Sequence, residues 1–187
     1  MPRSRRLPPP IDAADIDVAA RTYLTRYFTS RAHLRRLLMR RVDKSIAANG
    51  GDRTALAASV DATLDHLVEV GALNDEVYAR DKVRSLVRRG VSEAVVHQRL
   101  ASRGLGGDRV RAGLEAVRES GADPAMSAVC AFVRRRRLGP YRIDADVRVA
   151  QRARDLAALG RAGFSYAIAR RALDMETVEE VESLLLR

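Results

Sequence analysis

The chain has 187 residues, 47% of them hydrophobic and only 4% aromatic with no tryptophan, a supply of Leu, Val and Ala that can fill a core and favours helical packing over a sheet sandwich. A formal charge of +10 and a pI of about 10.8 point to anionic partners: nucleic acid, a nucleoprotein or, less readily, a membrane surface. The lone cysteine, Cys130, excludes an intramolecular disulfide and fits a reducing cytoplasm, and no segment approaches the roughly 18 apolar residues of a membrane span.

Residues 1–11 read as a disordered basic arm, because Pro8, Pro9 and Pro10 remove backbone donors and nothing near them asks to be buried. A first three-helix unit is expected over 12–71. Ile16, Ala19, Ala20, Tyr23, Leu24 and Tyr27 form one helical stripe, and Ser30 caps a second helix carrying Leu34, Leu37 and Leu38. Asp52 starts the third, with Leu56, Val60, Leu64, Leu67 and Val68, and Gly71 ends it.

A second unit is expected over 72–121. Asn74 caps a helix with Asp75 and Glu76 in its first turn and a stripe of Ala79, Val83, Leu86 and Val87. Gly90 stops that helix, Ser92 caps the next, and Asp108 caps a third bearing Val110, Leu114 and Val117. Residues 122–187 then supply a connecting helix, capped by Asp123 with Pro124 at its first position, and a third helical unit with Ser165 as an internal cap and a last helix near Thr177 to Leu186.

Aligning Ser30, Ser92 and Ser165 exposes a repeat. Six residues before them stand Leu24, Leu86 and Leu159; four after, Leu34, Val96 and Ala169; eight after, Leu38, Leu100 and Leu173. The expected fold is therefore all-α, built of tandem three-helix repeats in an elongated, solenoid-like array.

The sequence contains no GxxxxGK[ST], HExxH or CxxC pattern, and no cofactor or metal is expected. RGLGGD at Arg103 to Asp108 reads as a turn before it reads as a phosphate nest, and His33, His66 and His97 fall on three different helices. Charge is the stronger signal. Lys and Arg outnumber Asp and Glu by 11 to 4 over residues 1–50, balance them at 11 each over 51–121, exceed them again by 11 to 4 over 122–171, and give way to one Arg against five acids from Ala172 onward. Candidate contacts for phosphate or acidic protein are Arg35, Arg36, Arg40 and Arg41 in the first unit, and Arg134, Arg135, Arg136, Arg137, Arg142, Arg152 and Arg154 in the last; the plainer reading of each run is a solvated helix face.

The segment GALNDEVYARDKVRSLVRRGVSEAVVHQRLASRG resembles the central part of the RecX family of recombination regulators. RRRRLGPYR and ARDLAALGRAGFSYAIARRAL are similar to that family's C-terminal part, and with YLTRYFTSRAHLRRLLMRR the resemblance spans about residues 16–175. It implies three-helix repeats, no enzyme activity and binding along the groove of RecA filaments on DNA, which dampens the recombinase, its ATP hydrolysis and its stimulation of repressor self-cleavage. The expected partners are thus the RecA filament and single- or double-stranded DNA, with a monomer, no membrane and a cytoplasmic location. Phe28 in place of a corner glycine, the connection through Asn49 to Asp52 and the acidic tail depart from the pattern. A helix-turn-helix transcription regulator is the rival reading, since a helix, a Gly90 corner and a second capped helix also describe that motif.

Overall fold

A computed structural model describes residues 8–186, and among them every regular element is helical. The chain divides into two compact units, one ending at Tyr78 and the other beginning at Ala79.

The first unit holds α1 (Ala13–Leu24), α2 (Arg31–Asn49), α3 (Arg53–Glu69) and the opening turn of α4 (Asp75–Arg88). Polar side chains satisfy the helix starts, at Ser30, Asp52 and Asn74 as the sequence suggests and at Asp12 in addition. Asp12 and Asp15 form a reciprocal capping box, the Ser30 hydroxyl accepts the His33 N–H, and Asp52 accepts those of Thr54 and Ala55. Asn74 takes the amides of Glu76 and Val77. Inside lie Ile16, Ala20, Leu34, Leu38, Val42, Val60, Leu64, Leu67 and Leu73.

Two members of the expected stripes are exposed instead. Tyr27 is 56% exposed because α1 ends at Leu24, where the N–H groups of Arg26 and Tyr27 close back onto the Tyr23 carbonyl. Val68 is 46% exposed: the Leu73 N–H bonds to the Leu67 carbonyl, so the chain returns over Leu67 and leaves Val68 outside. Pro8 and Pro9 lie along α2, their carbonyls accepting hydrogen bonds from Asn49 and Ser45. Ile11 packs against the core, so the end of the expected arm is ordered, and residues 1–7 of it fall outside the described residues.

The second unit contains the remainder of α4, then α5 (Glu93–Ala101), α6 (Gly107–Glu119), α7 (Pro124–Arg136), a 3-10 turn (Gly139–Tyr141), α8 (Ala145–Arg161), α9 (Tyr166–Leu173) and α10 (Val178–Ser183). Every residue of α7 from Met126 to Val133 is buried, so this helix is the centre of the unit. Helix α9 packs on both α7 and α8, and α10 packs on α7. Asp108 is not the α6 cap: Leu105 is buried with its N–H on the Leu100 carbonyl, the helix begins at Gly107, and Asp108 pairs with Arg111 in the first turn.

The corners α4–α5 and α8–α9 share one geometry. Gly90 and Gly163 have φ of 71° and 86°, and the next residue's N–H reaches back to Leu86 and Leu159 respectively, each at 3.1 Å, as in a Schellman end. The α1–α2 corner, with Phe28, closes differently; Phe28 meets the Tyr78 ring edge-on at 5.2 Å, and the Asp75 carboxylate accepts the Arg31 N–H at 2.7 Å. Val96, Leu100, Ala169, Leu173, Leu34 and Leu38 are all buried after their respective corners. Ser30 and Ser165 cap as expected, but Ser92 does not: its hydroxyl donates to the Ala162 carbonyl at 2.8 Å and ties the two glycine corners together.

Candidate anion-binding interface

In the first unit, α2 turns its cations to two sides. Arg35 grips Asp61 of α3 through Nε and Nη2 at 2.7 and 2.9 Å, and Arg31 reaches Asp65 at 2.6 Å one turn earlier. The Arg35 hydrogen bond holds the Asp61 carboxyl below its ordinary pKa. Arg35 is therefore committed to joining α2 to α3. Arg36, Arg40 and Arg41 are exposed with Lys44 on the other side, and Arg40, Arg41 and Lys44 hold no ionic partner among the described residues. From Arg36 to Lys44 this stripe runs about 12 Å along the helix.

In the second unit the candidate arginines are held in different ways. Arg142 clamps Asp155 of α8 at 2.9 and 2.7 Å, with the Asp155 side chain only 5% exposed; this bidentate bond raises the Arg142 pKa and fixes the segment after the 3-10 turn to α8. Arg134 pairs with Glu182 and Arg152 with Asp174, so both face the acidic C-terminal segment. Arg135 donates to the Arg89 carbonyl and lies over the Phe132 ring at 5.3 Å. Arg137 takes the left-handed conformation that ends α7, φ 53°, and is exposed.

Arg136 and Arg154 form the remaining group, and the structure adds Arg161 to them. All three line a groove of about 740 Å³ between the end of α7 and α8, with Phe132 and Leu138 among its apolar lining. Along α8 the groove is lined by Val147, Gln151, Arg154, Ala158 and Arg161, a single face about 20 Å long. Arg136 leans on Phe132 at 5.9 Å, and none of the three arginines has an acidic partner among the described residues. Since Arg142 and Asp155 neutralise each other, three uncompensated guanidinium groups converge on one concavity. Their donors fit oxyanions bidentately, so the groove suits phosphate or carboxylate.

Arg161 was missed although its signal is in the sequence: seven residues after Arg154, it lies two turns along the same helical face. Among the described residues no His, Cys, Asp and Glu group could hold a metal ion, and no helix is long and apolar enough to cross a membrane. Burial pushes the Cys130 thiol up to about 11, which keeps it protonated and unreactive at neutral pH.

No protein-family model and no solved structure matches the chain. Among curated proteins, it is 39% identical to the regulatory protein RecX of Myxococcus xanthus over 173 residues, 92% of this chain and 91% of that protein. It is 32% identical to the regulatory protein RecX of Agrobacterium fabrum over 117 residues, 62% of this chain and 59% of the other. Identity of that level along nearly the whole of both chains, on an all-helical fold, means that this chain belongs to the RecX family of regulatory proteins.

Proposed function

We propose that this protein binds RecA nucleoprotein filaments on DNA and dampens the recombinase, its ATP hydrolysis and its stimulation of repressor self-cleavage, in the cytoplasm, as a monomer and without catalysis of its own. The supporting observation is the groove lined by Arg136, Arg154 and Arg161, whose cations are left open while neighbouring arginines are used in internal pairs. Arg36, Arg40 and Arg41 offer a second basic face on the first unit. In this reading the helical units act as three-helix repeats that lie along the filament, and the arginines meet phosphates or acidic protein surface. Inhibition is then steric: a bound helical body obstructs strand access or filament growth.

The helix-turn-helix reading is disfavoured by the surroundings of α5. Its first turn ought to present base-reading side chains, but Ser92 is bonded to Ala162, and a Cβ on Gly163 would lie 3.4 Å from Val95. The α8–α9 corner lies against Ser92 and Val95 of that turn.

Co-sedimentation with RecA filaments, alongside their ATPase and strand exchange, tests the proposal. Binding with a fall in both activities is the expected result. A protein that neither sediments with filaments nor alters either activity at stoichiometric excess would overturn it.

A further inference from the structure

The acidic C-terminal segment does not stand apart from the basic helices. Glu182 on α10 accepts from Arg134 Nη1 at 3.2 Å and from the Tyr141 hydroxyl, while Asp174 accepts from Arg152. Arg148 donates to the carbonyls of Met175 and Glu176 in the same segment. Two further attachments seat it: the Ser127 hydroxyl donates to the Leu184 carbonyl at 2.7 Å, and Val181 is fully buried. Three arginines of α7 and α8 are thereby turned toward the chain's own acids and carbonyls, while Arg136, Arg154 and Arg161 line the groove.

The ionic part of this contact is solvent-open. Arg134 and Glu182 are 49% and 41% exposed, and ion pairs of that kind contribute little to stability and weaken with salt. A polyanion can therefore take over these arginines at small cost. We propose that residues 174–182 are an intramolecular mimic of a polyanion, covering a second DNA-binding surface made by Arg134, Arg148 and Arg152, and that DNA phosphates displace the Asp174 and Glu182 carboxylates from it. This rests on the proposed reading for the identity of the anionic partner, but its test uses DNA alone and is independent of any effect on RecA.

The experiment compares binding of a labelled single-stranded oligonucleotide, over a range of NaCl concentrations, by the full chain and three variants. Asp174→Asn with Glu182→Gln removes the carboxylates that hold Arg152, Arg170 and Arg134. Glu119→Gln with Glu179→Gln raises the net charge equally but breaks no arginine pair found among the described residues. The third variant adds Arg134→Gln, Arg152→Gln and Arg170→Gln to the first. The Asp174/Glu182 variant is expected to bind several-fold tighter than the charge control, with a salt slope steeper by about 0.7 for each released arginine, and the third variant is expected to lose that gain. A gain no larger than the control's, a gain that survives loss of Arg134, Arg152 and Arg170, or no binding by any variant would overturn the proposal. Circular dichroism and the urea midpoint of each variant establish that the comparison is between folded proteins.

Discussion

Gly90 is a glycine for two separate reasons, and the rest of the second unit supplies one of them. Its φ of 71° belongs to the left-handed region, and a Cβ there would lie 2.6 Å from the Phe132 nitrogen and 2.9 Å from its Cα. Those atoms are the backbone of the buried helix α7, so no rotamer change relieves the clash. Gly121 isolates the other reason: its φ is 86°, but nothing lies within 4 Å of its Cβ position. Gly121→Ala is expected to cost about 1 kcal/mol, the conformational penalty alone, and Gly90→Ala about 3 kcal/mol once overpacking is added. Urea midpoints of the two variants measure the difference, and equal losses would mean that the α4–α5 corner does not press on α7. The sequence marks Gly90 as a helix stop; it carries no trace of Phe132, because that contact is made 42 positions further along the chain.

Helix starts are the most legible elements. Ser30, Asp52, Asn74, Asp123 and Ser165 can all be recognised locally because a cap bonds to amides two or three residues away. Ser92 looks the same in sequence and behaves differently because its partner, Ala162, is 70 residues distant. Charged faces are harder for the same reason. Arg35 and Arg142 are indistinguishable by position from Arg40 and Arg154 until Asp61 and Asp155 are brought to them by folding. The Arg142–Asp155 clamp is also the most enclosed ion pair of the second unit, so breaking it leaves a charge without compensation. Asp155→Ala is expected to destabilise the protein by about 3 kcal/mol, while Arg142→Met with Asp155→Leu restores most of the loss, since an apolar pair of similar volume avoids the desolvation cost. Thermal unfolding of the two variants checks this. A double variant as unstable as the single one would mean that the clamp's geometry, rather than its unpaired charge, holds the 3-10 turn to α8.

For the molecule as a whole, the +10 charge is less informative than its division between committed and open arginines. Folding commits Arg35 to Asp61 and Arg142 to Asp155 and leaves Arg136, Arg154 and Arg161 around the groove, so a count of basic residues overstates what a partner meets. The consequence is measurable in the salt dependence of filament binding. Each arginine that neutralises a phosphate adds about 0.7 to 0.9 to the slope of log affinity against log salt. Replacing Arg136, Arg154 and Arg161 by Gln is therefore expected to weaken binding and to reduce that slope by about 2 to 3. Arg142→Gln, by contrast, is expected to lower stability with the slope unchanged, because its guanidinium already faces Asp155. Weaker binding of the triple variant with an unaltered slope would assign the groove to carboxylates of the filament protein rather than to DNA. Unaltered binding would remove the groove from the interface and leave the stripe from Arg36 to Lys44 on α2 as the place where the anionic partner is met.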